Sequence, residues 1–227
     1  AVVSAEDLAR YQDNPKVLGL GEMMNVPGVL FGDAEVSAKL ALFKRVDGHA
    51  PGLSGEALCT YISRGISSDH ECTTAEEAEE KLRFGQYIFL REGDAAKNVA
   101  ALTPAVTPAT ASRCCFATDD RHVDSIAEEG AIDHCIRVAV ENGMPLELAL
   151  RLATLSAAEY YSLSDRGLIA PGRAADFCVL EDGETFAVSR VYKNGLAVRK
   201  KGDASAEEIT FPPFVCRIPT AADLQLP

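Results

Sequence analysis

Nowhere in the 227 residues does an apolar run approach the length of a membrane-spanning helix, which needs roughly 20 residues. The first residues carry no signal peptide pattern. Positive charge is scarce: 22 Lys and Arg stand against 34 Asp and Glu, a net charge of −12. Such an acidic chain repels nucleic acid and anionic membrane surfaces, which excludes both as expected partners. It says little against a small neutral substrate. The seven cysteines (59, 72, 114, 115, 135, 178 and 216) include no CxxC pair and are odd in number. Most sit in apolar contexts, so the spacing predicts reduced, buried thiols in a cytoplasmic protein and argues against a zinc–thiolate site. No internal repeat occurs.

What is present is an ordinary globular composition, 47% apolar and 25% charged, arranged as alternating strand and helix signals. Val17-Leu18-Gly19-Leu20-Gly21 reads as a buried strand. Val46-Asp47-Gly48-His49, Ile66–Asp69, Tyr87-Ile88-Phe89-Leu90 and Cys114–Thr118 follow as strands. Between them Asp33, Ser54 and Thr74 stand as N-caps of helices running to Arg45, Arg64 and Phe84, and Lys97–Leu102 is a short helix. The acidic run Glu76-Glu77-Ala78-Glu79-Glu80 reads as a solvated helix face near an N-terminus, where negative charge is favoured. Strand and helix in strict alternation predict parallel strands with helical crossovers, either a doubly wound sheet or a (β/α) barrel. Two helices, about 131–142 and 145–162, come next. Three short strands at 176–180, 186–191 and 196–198 then form a small β-unit, with Asn194-Gly195 as a hairpin turn. The tail from Lys200 to Pro227 is polar, then Pro-rich, and is expected to be loosely attached.

Chemistry in parallel α/β folds collects at the C-terminal ends of strands, and four of those ends carry metal-type side chains: Glu22, His49, His70-Glu71 and Asp119-Asp120. Adjacent carboxylates at a strand mouth are costly to desolvate unless a cation sits there. A metal ion or a protonated substrate nitrogen meets that need. Imidazole with carboxylate suits Zn, Mn or Fe with an open position. Glu71, beside a ligand-type histidine, is either a proton shuttle or a capping carboxylate. Asp119 can bind metal and take a proton from activated water, leaving Asp120 to face the substrate. Arg91-Glu92 is a structural ion pair or part of the substrate wall. His122 and Asp124 are loop hydrogen-bonders or site members, and His134 lies within a helix.

The segments GLGEMMNVPGVL, DGHAPGLSG, GISSDHECTTAEEAEEKL, REGDAAKN, FATDDRHVD and LIAPGRAADFCVL together closely resemble bacterial adenine deaminases of the amidohydrolase superfamily. The likeness runs from about Leu18 to Val198 in the family's order. It implies a metal-dependent α/β (β/α)8 TIM-like barrel beside a small β-sandwich domain, and hydrolysis of adenine to hypoxanthine and ammonia. It implies Glu22 as a carboxylate bridging two divalent metals (Mn, Fe or Zn), and His49, His70 and Asp119 as ligands. Glu71 would move protons to the purine, and Asp120 would hydrogen-bond it, with Arg91 and Glu92 on the substrate wall. The family's H-x-H pair is absent from this chain, and Asp94 stands where the family usually has Ser. The resemblance therefore implies an internal piece: barrel strands four to eight over residues 1–163, part of the β-domain over 164–200, and a linker over 201–227. It also implies a homo-oligomer with a small-molecule purine substrate. Another amidohydrolase acting on a different cyclic amide or amidine, and a non-catalytic truncated homologue, stand as alternatives.

Overall fold

A computed structural model describes residues 3–182 and 186–198 of the chain. The expected tail and linker, and Cys216, lie outside the described residues. After a short helix α1 (Ala5–Ala9), the chain runs β1 (Leu20–Met23), α2 (Val26–Leu30), α3 (Ala34–Leu42), β2 (Val46–Gly48), α4 (Gly55–Ser63), β3 (Ser68–Asp69), α5 (Ala75–Arg83), β4 (Tyr87–Arg91), α6 (Val99–Leu102) and β5 (Cys114–Ala117). Strands β1 and β2 pair in parallel, as do β3, β4 and β5, and a Val46–Ile66 bridge spans the gap between the two groups. The five strands thus run in one direction, as the alternating pattern predicts, and follow one another in sequence order.

Side chains alternate across each strand, and the two faces differ. Ile88, Leu90, Cys114 and Phe116 pack outward with Val99, Leu102, Cys135, Ile136 and Ala139 in the main apolar core. The opposite face carries Phe89 and Cys115, packed against Tyr160. Below the site, Asp47 accepts hydrogen bonds from Ser68 (3.0 Å), Tyr161 (3.3 Å) and Tyr160. Arg45 lies over the Tyr160 ring at 5.0 Å.

Two of the three expected caps hold their helices by a side-chain hydrogen bond, while Ser54 stands at the start of α4 without one. Asp33 and Thr74 accept from the backbone N–H groups of Val36 and Glu77, satisfying donors that the first helical turn leaves free. Gly65 and Gly85 follow α4 and α5 with φ of +92° and +91°, a conformation glycine adopts without a Cβ clash.

Three expectations change. The first strand is not a buried run: it starts at Leu20, Leu18 is 46% exposed, and only Met23 is buried. β1 lies at the edge of the described sheet, so one side of each of its residues meets no neighbour. A helix not foreseen, α7 (Val123–Glu129), precedes α8 (Ile132–Glu141). Its Val123 and Ile126 are exposed, so it has no core-facing stripe for the eye to follow. The long helix expected after Pro145 is α9 (Leu146–Arg151), a π-helical turn at Leu152–Ser156 and α10 (Ala157–Tyr160).

The last strands, β6 (Phe177–Leu180), β7 (Val188–Lys193) and β8 (Leu196–Ala197), make one antiparallel three-stranded sheet. Its hairpin turns at Asn194 and Gly195, both at positive φ, as a two-residue turn of this handedness requires. Among the described residues no helix is long and apolar enough to cross a membrane. All six described cysteines are free, and four of them are buried.

Candidate metal centre

The ends of β1, β2 and β3 bring Glu22, His49 and His70 together. Their ligand atoms lie within 4.8 Å of one another. Glu22 Oε2 is 3.1 Å from His49 Nδ1 and 2.9 Å from His70 Nε2, so one carboxylate oxygen faces both imidazoles. The two rings stand edge to face with centroids 5.3 Å apart. Glu71 Oε1 completes the approach at 3.6 Å from His49 and 3.5 Å from His70. Two imidazoles and carboxylate oxygens around one point form a donor set that fits a divalent transition metal.

Asp119 joins from the end of β5, in the left-handed region at φ +57°. Aspartate tolerates that conformation better than most residues. His70, Glu71 and Asp119 make a second converging group. Between the two carboxylates lies the Arg91 guanidinium, 2.6 Å from Glu71 and bonded to Asp119. Arg91 is 8% exposed, and its Nε has no partner among the described atoms.

The Arg91–Glu92 ion pair considered from sequence does not form: Arg91 turns inward to Glu71 and Asp119. Glu92 belongs on the opposite face. Its carboxylate is buried and accepts from the Val99 N–H at the start of α6 (3.1 Å), so alternation along β4 removes it from the substrate wall. Asp120 is exposed, and its carbonyl accepts from the Asp94 N–H (2.8 Å). The Asp94 carboxylate in turn accepts from the His122 N–H, which holds its pKa below the ordinary carboxylate value. Asp94 therefore ties the β4 loop to the β5 loop and stays out of the donor cluster. Asp124 accepts from the Ser125 N–H, and His134 lies 3.6 Å from Glu129; both are local contacts.

A set of buried polar side chains that the sequence reading passed over links neighbouring strand ends. Tyr61 of α4, fully buried, donates to the Met23 carbonyl (2.8 Å) and accepts from the His49 N–H (3.1 Å). Burial pushes its hydroxyl pKa up to about 12. Asp69 and Lys81, both fully buried, bridge the ends of β2 and β3. Asn98 accepts from the Arg91 N–H (2.7 Å) and donates to the carbonyls of His70 (3.2 Å) and Cys72 (3.0 Å). Arg121 donates to the Glu92 carbonyl (2.7 Å) and pairs with Glu129.

One signal for these was available. Lys81 falls on the apolar stripe of α5, three residues after Ala78 and next to Leu82, where a solvated lysine does not belong. The acidic run is also more than a solvated face: Glu77 and Glu80 accept from the N–H groups of Gly52 (2.8 Å) and Gly55 (2.9 Å). A third acidic group, Asp69, Cys72 and Glu77, already surrounds the Lys81 ammonium, which answers its charge.

Known proteins share this arrangement of sequence. The family model described as "Amidohydrolase family" matches residues 4–198. An adenine deaminase of Methanoregula boonei is 54% identical over 226 residues, covering 100% of this chain and 40% of that protein. An adenine deaminase of Methanoculleus marisnigri is 52% identical, covering 100% of this chain and 43% of that protein. The chain thus spans less than half the length of these curated relatives. Among solved structures, a β-aspartyl dipeptidase from Fervidobacterium islandicum AW-1 superposes with a TM-score of 0.60 at 19% identity, over 87% of this chain and 61% of that one. That likeness supports an α/β fold of the TIM-barrel-like kind. With the matched residues running through every strand end described above, the chain belongs to the amidohydrolase family.

Proposed function

We propose that this chain carries part of the active site of a metal-dependent adenine deaminase, which converts adenine and water to hypoxanthine and ammonia. The observation that carries the reading is the 54% identity to an adenine deaminase along the whole chain. The convergence of Glu22, His49 and His70 on one point supports it. In this reading β1 to β5 are the last five strands of an eight-stranded barrel occupying residues 1–163. The three-stranded sheet is part of a small β-sandwich over 164–200, and 201–227 is a linker.

Glu22, His49, His70 and Asp119 would hold the divalent metal, a pair of ions in the complete enzyme. When bound, the metal supplies Lewis acidity that activates water at neutral pH. The chain's own groups then manage substrate and protons. Asp119 accepts a proton from the attacking water. The water oxygen bonds to the purine carbon that bears the amine. Protonated Glu71 gives its proton to a ring nitrogen, the proton taken by Asp119 passes to the amine as the carbon–nitrogen bond breaks, and the hydroxyl proton of the adduct returns to Glu71. Asp120 hydrogen-bonds the purine. Arg91, bound to both Glu71 and Asp119, holds the two carboxyl groups in place. The enzyme is a cytoplasmic homo-oligomer in this reading.

The test is an assay of the complete enzyme containing this segment, with adenine and Mn²⁺, reading hypoxanthine and ammonia. Equimolar products that vanish on chelation are expected. Turnover of another cyclic amide or amidine with none of adenine would transfer the site to a different amidohydrolase reaction.

A further inference from the structure

Lys81 reaches the site from outside it. It sits on α5, yet its ammonium is fully buried and all three donors are used. They go to the Ala50 carbonyl (2.7 Å), Asp69 Oδ2 (3.0 Å) and Glu77 Oε1 (2.7 Å). Asp69 is as fully engaged. Its Oδ1 accepts from the Ala50 N–H (2.7 Å), and its Oδ2 accepts from the Glu71 N–H (3.2 Å) and the Cys72 thiol (3.2 Å).

The residues gripped are telling. Ala50 follows His49 directly, and both its N–H and its C=O are held by the pair. Asp69 precedes His70 directly and fixes the peptide of Glu71. The pair therefore sets the backbone on the far side of one imidazole and the near side of the other. Burial opposes the charge on each partner, and their mutual attraction outweighs it, so the Asp69 carboxyl lies below its ordinary pKa and the Lys81 ammonium above its own. Both stay charged through the neutral range. A buried ion pair of this kind adds little net stability over apolar residues of the same volume. What it adds is direction, since each hydrogen bond fixes an angle as well as a distance.

The geometry points to Lys81 as a positioning residue that, through Asp69, fixes the spacing of His49 and His70. The inference deepens the proposed function and rests on its reading of the two histidines as ligands.

Two variants of the complete enzyme containing this segment test it. Lys81→Met removes the ammonium and keeps the stem. Lys81→Met/Asp69→Asn removes both charges, so that no unpaired charge is left buried. Leu102→Ala, in the apolar core away from the site, is the control for lost stability. The first readout is the Co²⁺ dissociation constant. The second is the nuclear Overhauser effect between the His49 and His70 rings in metal-free protein.

Both Lys81 variants are expected to bind Co²⁺ about 10- to 100-fold more weakly, the usual effect of losing a group that orients metal ligands. They are also expected to lose the ring–ring effect. The double variant should keep its fold, and Leu102→Ala should keep both the affinity and the ring contact. Native affinity and ring contact in the double variant would overturn the inference. So would failure of the double variant to fold, because the pair would then carry the fold itself. If the unaltered enzyme binds no Co²⁺, the metal reading of the site fails, and the ring contact alone decides the role of Lys81.

Discussion

Glu22 presents a single oxygen to two imidazoles that arrive from different strands. Nothing in the local sequence of any of the three demands this, so the meeting point is made by backbone ties nearby. Tyr61 is the tie between the first two. Tyr61→Phe removes the hydroxyl and leaves the buried Met23 carbonyl and His49 N–H without a partner, at about 1–3 kcal/mol. A urea midpoint read by far-UV circular dichroism should fall accordingly, and an unchanged midpoint would deny the tie. His70→Ala acts on the donor set directly. In the complete enzyme it should lower both metal content and adenine turnover by more than about 100-fold, since even groups that only orient ligands cost 10- to 100-fold. Unchanged turnover and metal stoichiometry would remove His70 from the site. The convergence of these side chains was foreseeable because alternating strands and helices put them at strand ends on one side of the sheet, where such folds collect their chemistry. The ties were not. Tyr61 and Asp69 are ordinary residues for a helix or strand, and only three-dimensional closeness gives them a role; Lys81 alone stood out, on the apolar stripe of its helix.

Among the elements, β2 and β3 are short, and their packing leaves little room. A Cβ added at Gly48 would lie 2.3 Å from the Ser68 carbonyl oxygen and 2.7 Å from Ile66 Cγ2. Gly48→Ala must therefore push β2 away from β3, at about 1–3 kcal/mol of overpacking. The push falls one residue before His49, so metal affinity should drop with the melting temperature. A melting temperature within a degree of the parent would contradict the close approach. The same pair shows what sequence could reveal. Val46, Ile66 and the glycines between strand and helix marked the elements well. The ends moved where neighbours decide: β1 starts later than its apolar run because Leu18 has no partner to cover it. Glu92 faced the wrong way until the pleat of β4 was fixed by its pairing with β5.

At the scale of the molecule, parallel strands were readable from alternation alone, and so was the collection of chemistry at one end; the order of the strands was not, since alternation suits a doubly wound sheet as well as a barrel. The partners within the network of ties were out of reach, Lys81 on its apolar stripe excepted, because they are brought close only by the crossovers. A chain with a net charge of −12 and clustered carboxylates at that end should respond to a divalent cation as a whole. Metal at 100 times its dissociation constant should raise the unfolding free energy by about 2.7 kcal/mol. Chelator should reverse the shift in melting temperature, and a shift that survives chelation would point to a non-specific effect of ionic strength.

The most direct measurement is a Co²⁺ titration of the complete enzyme containing this segment, following visible absorption, alongside a Glu22→Gln/His49→Ala/His70→Ala variant. Saturable d–d bands in the unaltered enzyme and none in the folded variant are the predicted result. Equal bands in both, or none in the unaltered enzyme, would contradict the assignment of these three strand ends as a metal centre.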